Sequence, residues 1–277
     1  MSEQTPINSE YEKTASLVLE VAKNAGRIIL ENGGETYRAE ETCTRICTHF
    51  GGKNIAVLAI TTGIVLSAEF FDKEITTVAR IDTRGINLIN VAQVNDISRR
   101  LENSSITLNQ ANDLLNEILS GDKPARFRRL KAFAVAAVGT GFSSAFFSIL
   151  FGGSAPEFFV ALMTGVVVAG LNTFFSSKKA NGFITSLVLG VVAALIAISA
   201  SFLFTDFRYD LVIIGSIMPL LPGIAMTVAF RDSIRGDLIS GVSRILEAIV
   251  LAIAIASGVG IVIGTFLHFH LIGGFLV

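Results

Sequence analysis

The chain is poor in the residues from which many protein sites are built. Its 277 residues include no tryptophan, two cysteines and three histidines. The cysteines, Cys43 and Cys47, are one helical turn apart, and no second Cys/His pair with zinc-ligand spacing accompanies them. We interpret them as buried core thiols, with a metal or redox pair as the alternative, and we expect neither a metal nor a cofactor. The net charge of −1 lacks the basic excess that a nucleic-acid partner requires.

Charge is scarce overall and is distributed unevenly. Charged residues make up 16% of the chain, whereas a soluble domain carries about 25%. Most of the charge lies in residues 1–131, and stretches such as 160–175 contain none. The polar N-terminus does not resemble a signal peptide. The sequence therefore predicts an N-terminal cytosolic α+β domain, residues 1–125, followed by a transmembrane helical domain, residues 126–277.

The predicted cytosolic head has alternating helical and strand patterns. Apolar spacing predicts helices over 14–31, 35–50, 87–101 and 107–120, and β-branched content predicts strands within 54–71 and over 74–81. His49 and Cys47 are two positions apart on one helix, so they do not face each other. No nucleophile, zinc or P-loop motif is present. We therefore predict that the chain is not an enzyme.

Five apolar stretches are long enough to cross a bilayer core of about 30 Å. They lie near residues 130–151, 158–175, 182–204, 211–230 and 238–269. Basic residues alternate along the loops: five lie between Lys123 and Lys131, and Lys178 and Lys179 follow the second span. The positive-inside rule then predicts a multi-pass plasma-membrane protein with its N-terminus in the cytosol and its C-terminus outside. The fold class is an α-helical polytopic membrane protein of about five spans.

The fourth span is interrupted at its middle by the sequence P-L-L-P-G. Pro219 and Pro222 each remove a backbone donor, and Gly223 follows directly. A helix broken at this depth suits a transporter site, because the half-helix after the break directs N–H groups at a substrate carboxylate. We predict substrate binding by Pro219, Pro222 and Gly223, with Asn172 as a weaker polar candidate. A proline kink without a ligand is the alternative.

The fifth span begins with a polar face. Asp237, Ser240, Gly241, Arg244 and Glu247 fall at helical spacing on one side. Arg244 is the predicted cation for a substrate carboxylate, and Glu247 the predicted proton carrier. An interfacial Arg244–Glu247 pair is the alternative.

Other polar and small residues near the last two spans have weaker assignments. Asp232, Arg235 and Asp237, with Arg231, are predicted gate or interface charges. Gly260 and Gly264 form a G-x-x-x-G motif, which predicts a close-packing helix face. His268 and His270 are interpreted as interfacial residues.

Several stretches resemble the threonine/serine exporter (ThrE) family, in particular its larger, head-bearing subunit. They are GGETYRAEET at 33–42, TTGIVLSAE at 61–69, VARIDTRGINLINVAQVNDISRRL at 78–101, and MPLLPGIAMTVAFRDSIRGDLISGVSRILEA at 218–248. The resemblance implies export of threonine, serine or a dicarboxylate such as succinate, driven by the proton gradient. It also implies a separate small membrane subunit, because a second membrane half is expected and does not follow here.

Two other functions stay open at this point. The first is a membrane-anchored hydrolase with its active site in the cytosolic head. The second is a non-transporting assembly subunit of a membrane complex. Neither requires a mid-span break or a charged stripe at the start of a span, and the sequence has both features. The features therefore favour a secondary transporter for small polar carboxylates, in contact with the lipid bilayer.

Overall fold

The chain divides into two compact units. The computed structural model describes residues 6–82, 84–120, 126–178 and 180–273. One unit, here the head unit, comprises Met1–Lys123 and Ile224–Ile245, and the other, the span unit, comprises Pro124–Gly223 and Leu246–Val277. Lys123 and Lys179, which contribute to the predicted topology, lie outside the described residues. The cytosolic placement of the head stays a prediction.

The head unit is built from helices around a small antiparallel sheet. Its N-terminal part has the helices α1 (Pro6–Glu31), α2 (Thr36–His49), α3 (Leu88–Glu102) and α4 (Leu108–Ser120) and the strands β1 (Lys53–Ile60), β2 (Gly63–Phe70) and β3 (Lys73–Arg80). Residues 224–245 add two further helical segments to this unit. The strands pair as a meander in the order β1-β2-β3. These elements confirm the predicted helices and strands, and most of their ends differ by only a few residues. The start of α1 was predicted at residue 14, but the helix begins at Pro6, because its regular structure continues beyond the apolar pattern.

One apolar core holds the head unit together. Leu19, Ile28, Ile64, Leu66 and Leu101 are fully buried within it. Cys43 and Cys47 also lie in this core, as predicted, and the Cys43 thiol donates to the carbonyl oxygen of Ala22 at 3.1 Å. Burial raises the pKa of Cys47 to about 12, so this thiol stays protonated and unreactive at neutral pH.

The remaining helices carry the apolar spans. They are α5 (Arg126–Leu150), α6 (Ala155–Ser177), α7 (Gly182–Ser201), α8 (Tyr209–Ile217), a 3-10 turn (Met218–Leu220), α9 (Gly223–Ile234) and α10 (Leu238–Gly273). Among the residues that the structure describes, four helices could cross a membrane by length and composition, or up to five if the bent pair of α8 and α9 counts as one span. The break predicted from the two prolines is therefore present.

Glycines set the closest helix contacts in the span unit. An added Cβ at Gly190 would lie 2.5 Å from the carbonyl oxygen of Ile255, and one at Gly258 would lie 2.2 Å from that of Leu187. The helices α7 and α10 therefore approach each other backbone to backbone. The predicted close-packing face at Gly260 and Gly264 is wrong within the described chain, because an added Cβ at either position meets nothing within 4 Å.

The alanine variants of two neighbouring glycines test this packing. We expect Gly258→Ala to lower the free energy of unfolding by about 1–3 kcal/mol, because the new methyl group forces α7 and α10 apart. Gly260→Ala points into open space and should be neutral or slightly stabilising, since alanine is the better helix former. Thermal unfolding of the purified full chain in detergent measures both variants. Equal unfolding temperatures would contradict the assigned contact.

Candidate functional site

A tight turn between α1 and α2 begins the candidate site in the head unit. Gly33 adopts a φ of +81°, which a residue with a side chain would occupy only with strain. Gly34 then donates its N–H to the carbonyl oxygen of Ile29 at 2.9 Å, which closes the end of α1. The turn places Glu35 at the N-cap of α2 and Thr36 at its first residue, and both are buried.

A buried ion pair lies against this turn. The Arg244 Nε atom is 3.2 Å from Oδ2 of Asp232, and the two side chains are 9% and 0% exposed. Arg244 also donates from Nη2 to the carbonyl oxygen of Gly34 at 2.9 Å. The other carboxylate oxygen of Asp232 accepts the backbone N–H of Thr36 at 3.3 Å. The pair therefore joins α9, α10 and the start of α2.

Further polar contacts surround the pair. The Thr36 hydroxyl donates to Oδ2 of Asp237 at 2.8 Å. The Glu35 carboxylate pairs with both Arg231 and Arg38, the latter at 2.9 Å between Nε and Oε2. Because one acid is shared by two guanidinium groups, this part of the cluster keeps a positive excess.

Glu40 adds a protonatable group to the same cluster. It lies on α2 and accepts the backbone N–H of Ala59 at 2.9 Å. Burial raises the pKa of the Glu40 carboxyl, and the negative charges of Asp237 and Asp232 raise it further, while the bond from Ala59 opposes them. The carboxyl therefore holds its proton to a higher pH than an ordinary glutamate.

The link between α9 and α10 is as compact as the turn before α2. Gly236 has a φ of +99°, and it allows the chain to reverse within a few residues. An added Cβ at Gly241 would lie 2.0 Å from the Ser233 hydroxyl oxygen. This close approach keeps the start of α10 beside the end of α9, where Asp232 and Arg244 can meet.

The span unit contains a second polar feature. Ser144 and Ser148 on α5 and Ser216 on α8 are fully buried, and their hydroxyl oxygens have no hydrogen-bond partner among the described residues. An added Cβ at Gly215 would lie 2.6 Å from the carbonyl oxygen of Ser144 and 2.8 Å from the backbone nitrogen of Ser148. The backbones of α5 and α8 therefore touch beside these serines.

The helix break follows directly after Ser216. Leu221 donates its N–H to Met218 at 3.3 Å, Gly223 donates to Leu221 at 2.8 Å, and the ordinary helical pattern stops between them. Ile217 and Leu220 pack on a cluster of Val168, Leu189 and Ala193. Protein thus covers part of the break, as a membrane interior requires of irregular backbone.

The predicted site residues fall into two groups. The head unit brings together Asp232, Arg235, Asp237 and Arg244. The span unit contains Pro219, Pro222 and Gly223 at the break, and Asn172 and Glu247, whose side chains are exposed. Their roles in binding, gating and proton transfer stay predictions.

Sequence reasoning did not identify the residues of the head that contact the charged side chains between α9 and α10. Glu35 and Thr36 were treated as an ordinary helix start, and the partners of Thr36 lie 196 and 201 residues away. The buried serines were not identified as candidates either. The spacing of Ser144 and Ser148, one helical turn apart in an apolar helix, was the available signal.

Comparison with known proteins gives a consistent result. The family model described as putative threonine/serine exporter matches residues 20–266. The threonine/serine exporter of Corynebacterium glutamicum is 22% identical over 266 residues, which cover 92% of this chain and 53% of that protein. The probable threonine/serine exporter of Mycobacterium tuberculosis is 22% identical over 244 residues, covering 87% and 45%. The chain spans about half the length of these curated relatives. No solved structure matches it.

Variants of the buried pair test its role in the head unit. We expect Asp232→Leu or Arg244→Met alone to cost about 3–5 kcal/mol of unfolding free energy, because each leaves the opposite charge buried without its partner. The double variant should recover most of that loss. Chemical denaturation of the purified full chain measures all three proteins.

A surface pair provides the matched control. Arg100 and Asp96 are 3.5 Å apart and exposed, so Arg100→Ala should change the unfolding free energy by less than about 1 kcal/mol. Single variants of Asp232 and Arg244 that behave like this control would contradict the assignment. A double variant whose loss equals the sum of the two single losses would contradict it as well.

Proposed function

The chain belongs to the threonine/serine exporter family, and we propose that it is the head-bearing part of a secondary transporter that exports threonine or serine. The observation that carries the proposal is the trio of buried serine hydroxyls beside the broken fourth span. An anchor for a soluble domain needs neither a break nor polar groups at helix contacts. A transporter makes use of both. The break exposes backbone groups to the substrate, and the polar side chains replace the hydrogen bonds to water that the substrate loses when it enters the membrane.

The chemistry of the break suits a small hydroxylated amino acid. The hydroxyl oxygens of Ser144, Ser148 and Ser216 can accept hydrogen bonds from a substrate ammonium or hydroxyl group. We assign the substrate carboxylate to the backbone of the break itself, at Pro222 and Gly223, which lie in the same unit as the serines. We assign Pro219 and Pro222 to keeping this segment out of the helix, and Asn172 stays a further polar candidate.

The head cluster is assigned to gating. The guanidinium group of Arg244 is held by Asp232 and by Gly34, so we assign Arg244 to a gate with Asp232, Asp237 and Arg235. In this proposal the head faces the cytosol, and proton movement through Glu247 drives export. Glu247 is exposed in this chain, as a group that exchanges protons with water must be at some stage.

A second membrane polypeptide completes the transporter in this proposal. The exposed faces of Gly260 and Gly264 offer a surface where another apolar helix can approach closely. We expect a short, highly apolar protein encoded beside this chain to occupy that surface.

Export from intact cells tests the function and its site together. Cells that express the chain with the candidate small subunit should export labelled threonine faster than cells that express either protein alone, with labelled succinate as the comparison. Ser148→Ala and Ser216→Ala should each lower threonine export about tenfold or more, because one hydrogen bond to a charged group is worth about 1.5–3 kcal/mol.

The matched control is Ser201→Ala on α7. The Ser201 hydroxyl already donates to the carbonyl oxygen of Ile198 at 2.7 Å, so its loss should leave export within about twofold of wild type. Immunoblots of the membrane fraction show that each variant is equally abundant. Export that depends equally on Ser201 and Ser216 would refute the assigned site, and succinate export without threonine export would refute the assigned substrate.

The coupling proposal makes a separate prediction about pH. Glu247→Gln cannot release a proton, so we expect it to abolish the dependence of threonine export on external pH while membrane abundance stays at the wild-type level. Export rates in cells at several external pH values, with Glu20→Gln as a control on the exposed face of α1, measure this effect. A Glu247→Gln protein with the wild-type pH profile would remove Glu247 from the coupling mechanism.

A further inference from the structure

A concave pocket in the head unit has four arginines among its ten lining residues. It has a volume of about 340 Å³ and lies between α2, α3 and the end of α9. Its polar lining includes Tyr37, Arg38, Arg45, Asn95, Arg99 and Arg235. Its volume lies within the range of about 300–1,000 Å³ that small-molecule sites occupy.

The helical spacing of the sequence builds this pocket. Arg38, Thr42 and Arg45 lie on the face of α2 opposite its buried cysteines, at intervals of three and four residues. Asn95 and Arg99 are one turn apart on α3 and face the same space. Arg235 is fixed by the ring of Tyr37, since its guanidinium carbon lies 4.3 Å from the ring centroid.

The charges of the pocket do not balance. Glu41 is the carboxylate among its lining residues, and it accepts a hydrogen bond from Arg45 at 3.3 Å. Arg38 shares Glu35 with Arg231, so one acid serves two cations. The side chain of Arg99 makes no ion pair within the described parts of the chain. Arg45 is also 3.9 Å from a carboxylate oxygen of Glu102, outside the lining. When Arg231 is counted with the four arginines of the pocket, five guanidinium groups meet the three carboxylates of Glu35, Glu41 and Glu102, which leaves an excess of about two positive charges.

We propose that this pocket binds an anion that carries phosphate groups, either a soluble one such as pyrophosphate or a nucleoside diphosphate, or the headgroup of an anionic lipid. Guanidinium groups match phosphate oxygens through paired hydrogen bonds. A threonine or serine zwitterion has no net charge and would leave the excess uncompensated. The site is therefore distinct from the substrate site proposed at the helix break.

The two sources of phosphate predict different behaviour. Exposed apolar side chains lie on both sides of Arg235 in sequence, Ile234 directly before it and Leu238 and Ile239 shortly after it, which suits a lipid headgroup. The half-open, concave shape between α2 and α3 suits a soluble anion equally well. In both cases the ligand would bridge two helices of the head to the end of α9, the segment that also contains Asp232.

Calorimetric titration of the full chain in phosphatidylcholine nanodiscs tests the proposal. Pyrophosphate should bind saturably, more weakly as salt rises, and at least about tenfold more tightly than succinate, because its charge fits the excess better. Arg99→Gln should weaken pyrophosphate binding by about tenfold, the loss of one charged hydrogen-bonding partner. Arg100→Gln is the matched control, since Arg100 is adjacent in sequence, pairs with Asp96 and does not line the pocket.

A second set of nanodiscs distinguishes the sources. If phosphatidic acid in the bilayer competes with pyrophosphate in wild type but not in Arg99→Gln, the physiological ligand is a lipid headgroup; if it does not compete, the ligand is soluble. Pyrophosphate binding that is absent, that succinate matches in affinity, or that Arg99→Gln and Arg100→Gln weaken equally would overturn the proposal. None of these outcomes depends on transport, so the exporter function is judged separately.

Discussion

The head unit depends on one buried ion pair. Asp232 is completely inaccessible to solvent, and an isolated carboxylate in such a place would be strongly unfavourable. Arg244 compensates that charge and at the same time binds the carbonyl oxygen of Gly34. The turn before α2 therefore has to bring its backbone close to α10. An added Cβ at Gly34 would lie 2.5 Å from the Ile29 side chain, so only glycine allows the turn its present form.

The end of α9 and the turn that follows it contribute to two chemically different sites. Asp232 is one partner of the buried ion pair. Arg235, three residues further along, stacks on Tyr37 at the rim of the arginine pocket. Tyr37 follows directly after Thr36, whose N–H group bonds to Asp232. A ligand that holds Arg235 would therefore act on a segment already tied to the buried pair. It can shift a gate only if it binds the two gate states with different affinity.

Local rules predicted the elements, and long-range contacts escaped them. Apolar periodicity located α1, α2 and the three strands, since one face of each element is buried in a single core. The prolines located the break in the fourth span for an equally local reason. The partner of Asp232 could not be predicted, because Thr36 is 196 residues away and nothing in either segment encodes the other.

The same distinction explains the candidate site residues. Arg244 was recognised as unusual because charge in an apolar span is unusual. Helical spacing offered a pair with Glu247 as the alternative to a substrate contact for Arg244, and it gave no sign of Asp232, which the structure places against Arg244 across the turn of Gly236. The glycines at 260 and 264 formed a recognisable packing motif, yet α10 packs on α7 through Gly258. A motif identifies a possible surface, and only the fold determines which surface is used.

Helix packing alone does not explain why serines stand at the three buried positions. Alanine is nearly as small and would allow α5 and α8 the same approach at Gly215. Each hydroxyl without a partner costs about 1–3 kcal/mol in an apolar environment. Three such groups beside a broken helix therefore lower the stability of the protein, unless a polar molecule binds next to them for part of the time. A substrate that passes through satisfies this condition, because the site must release it as readily as it binds it.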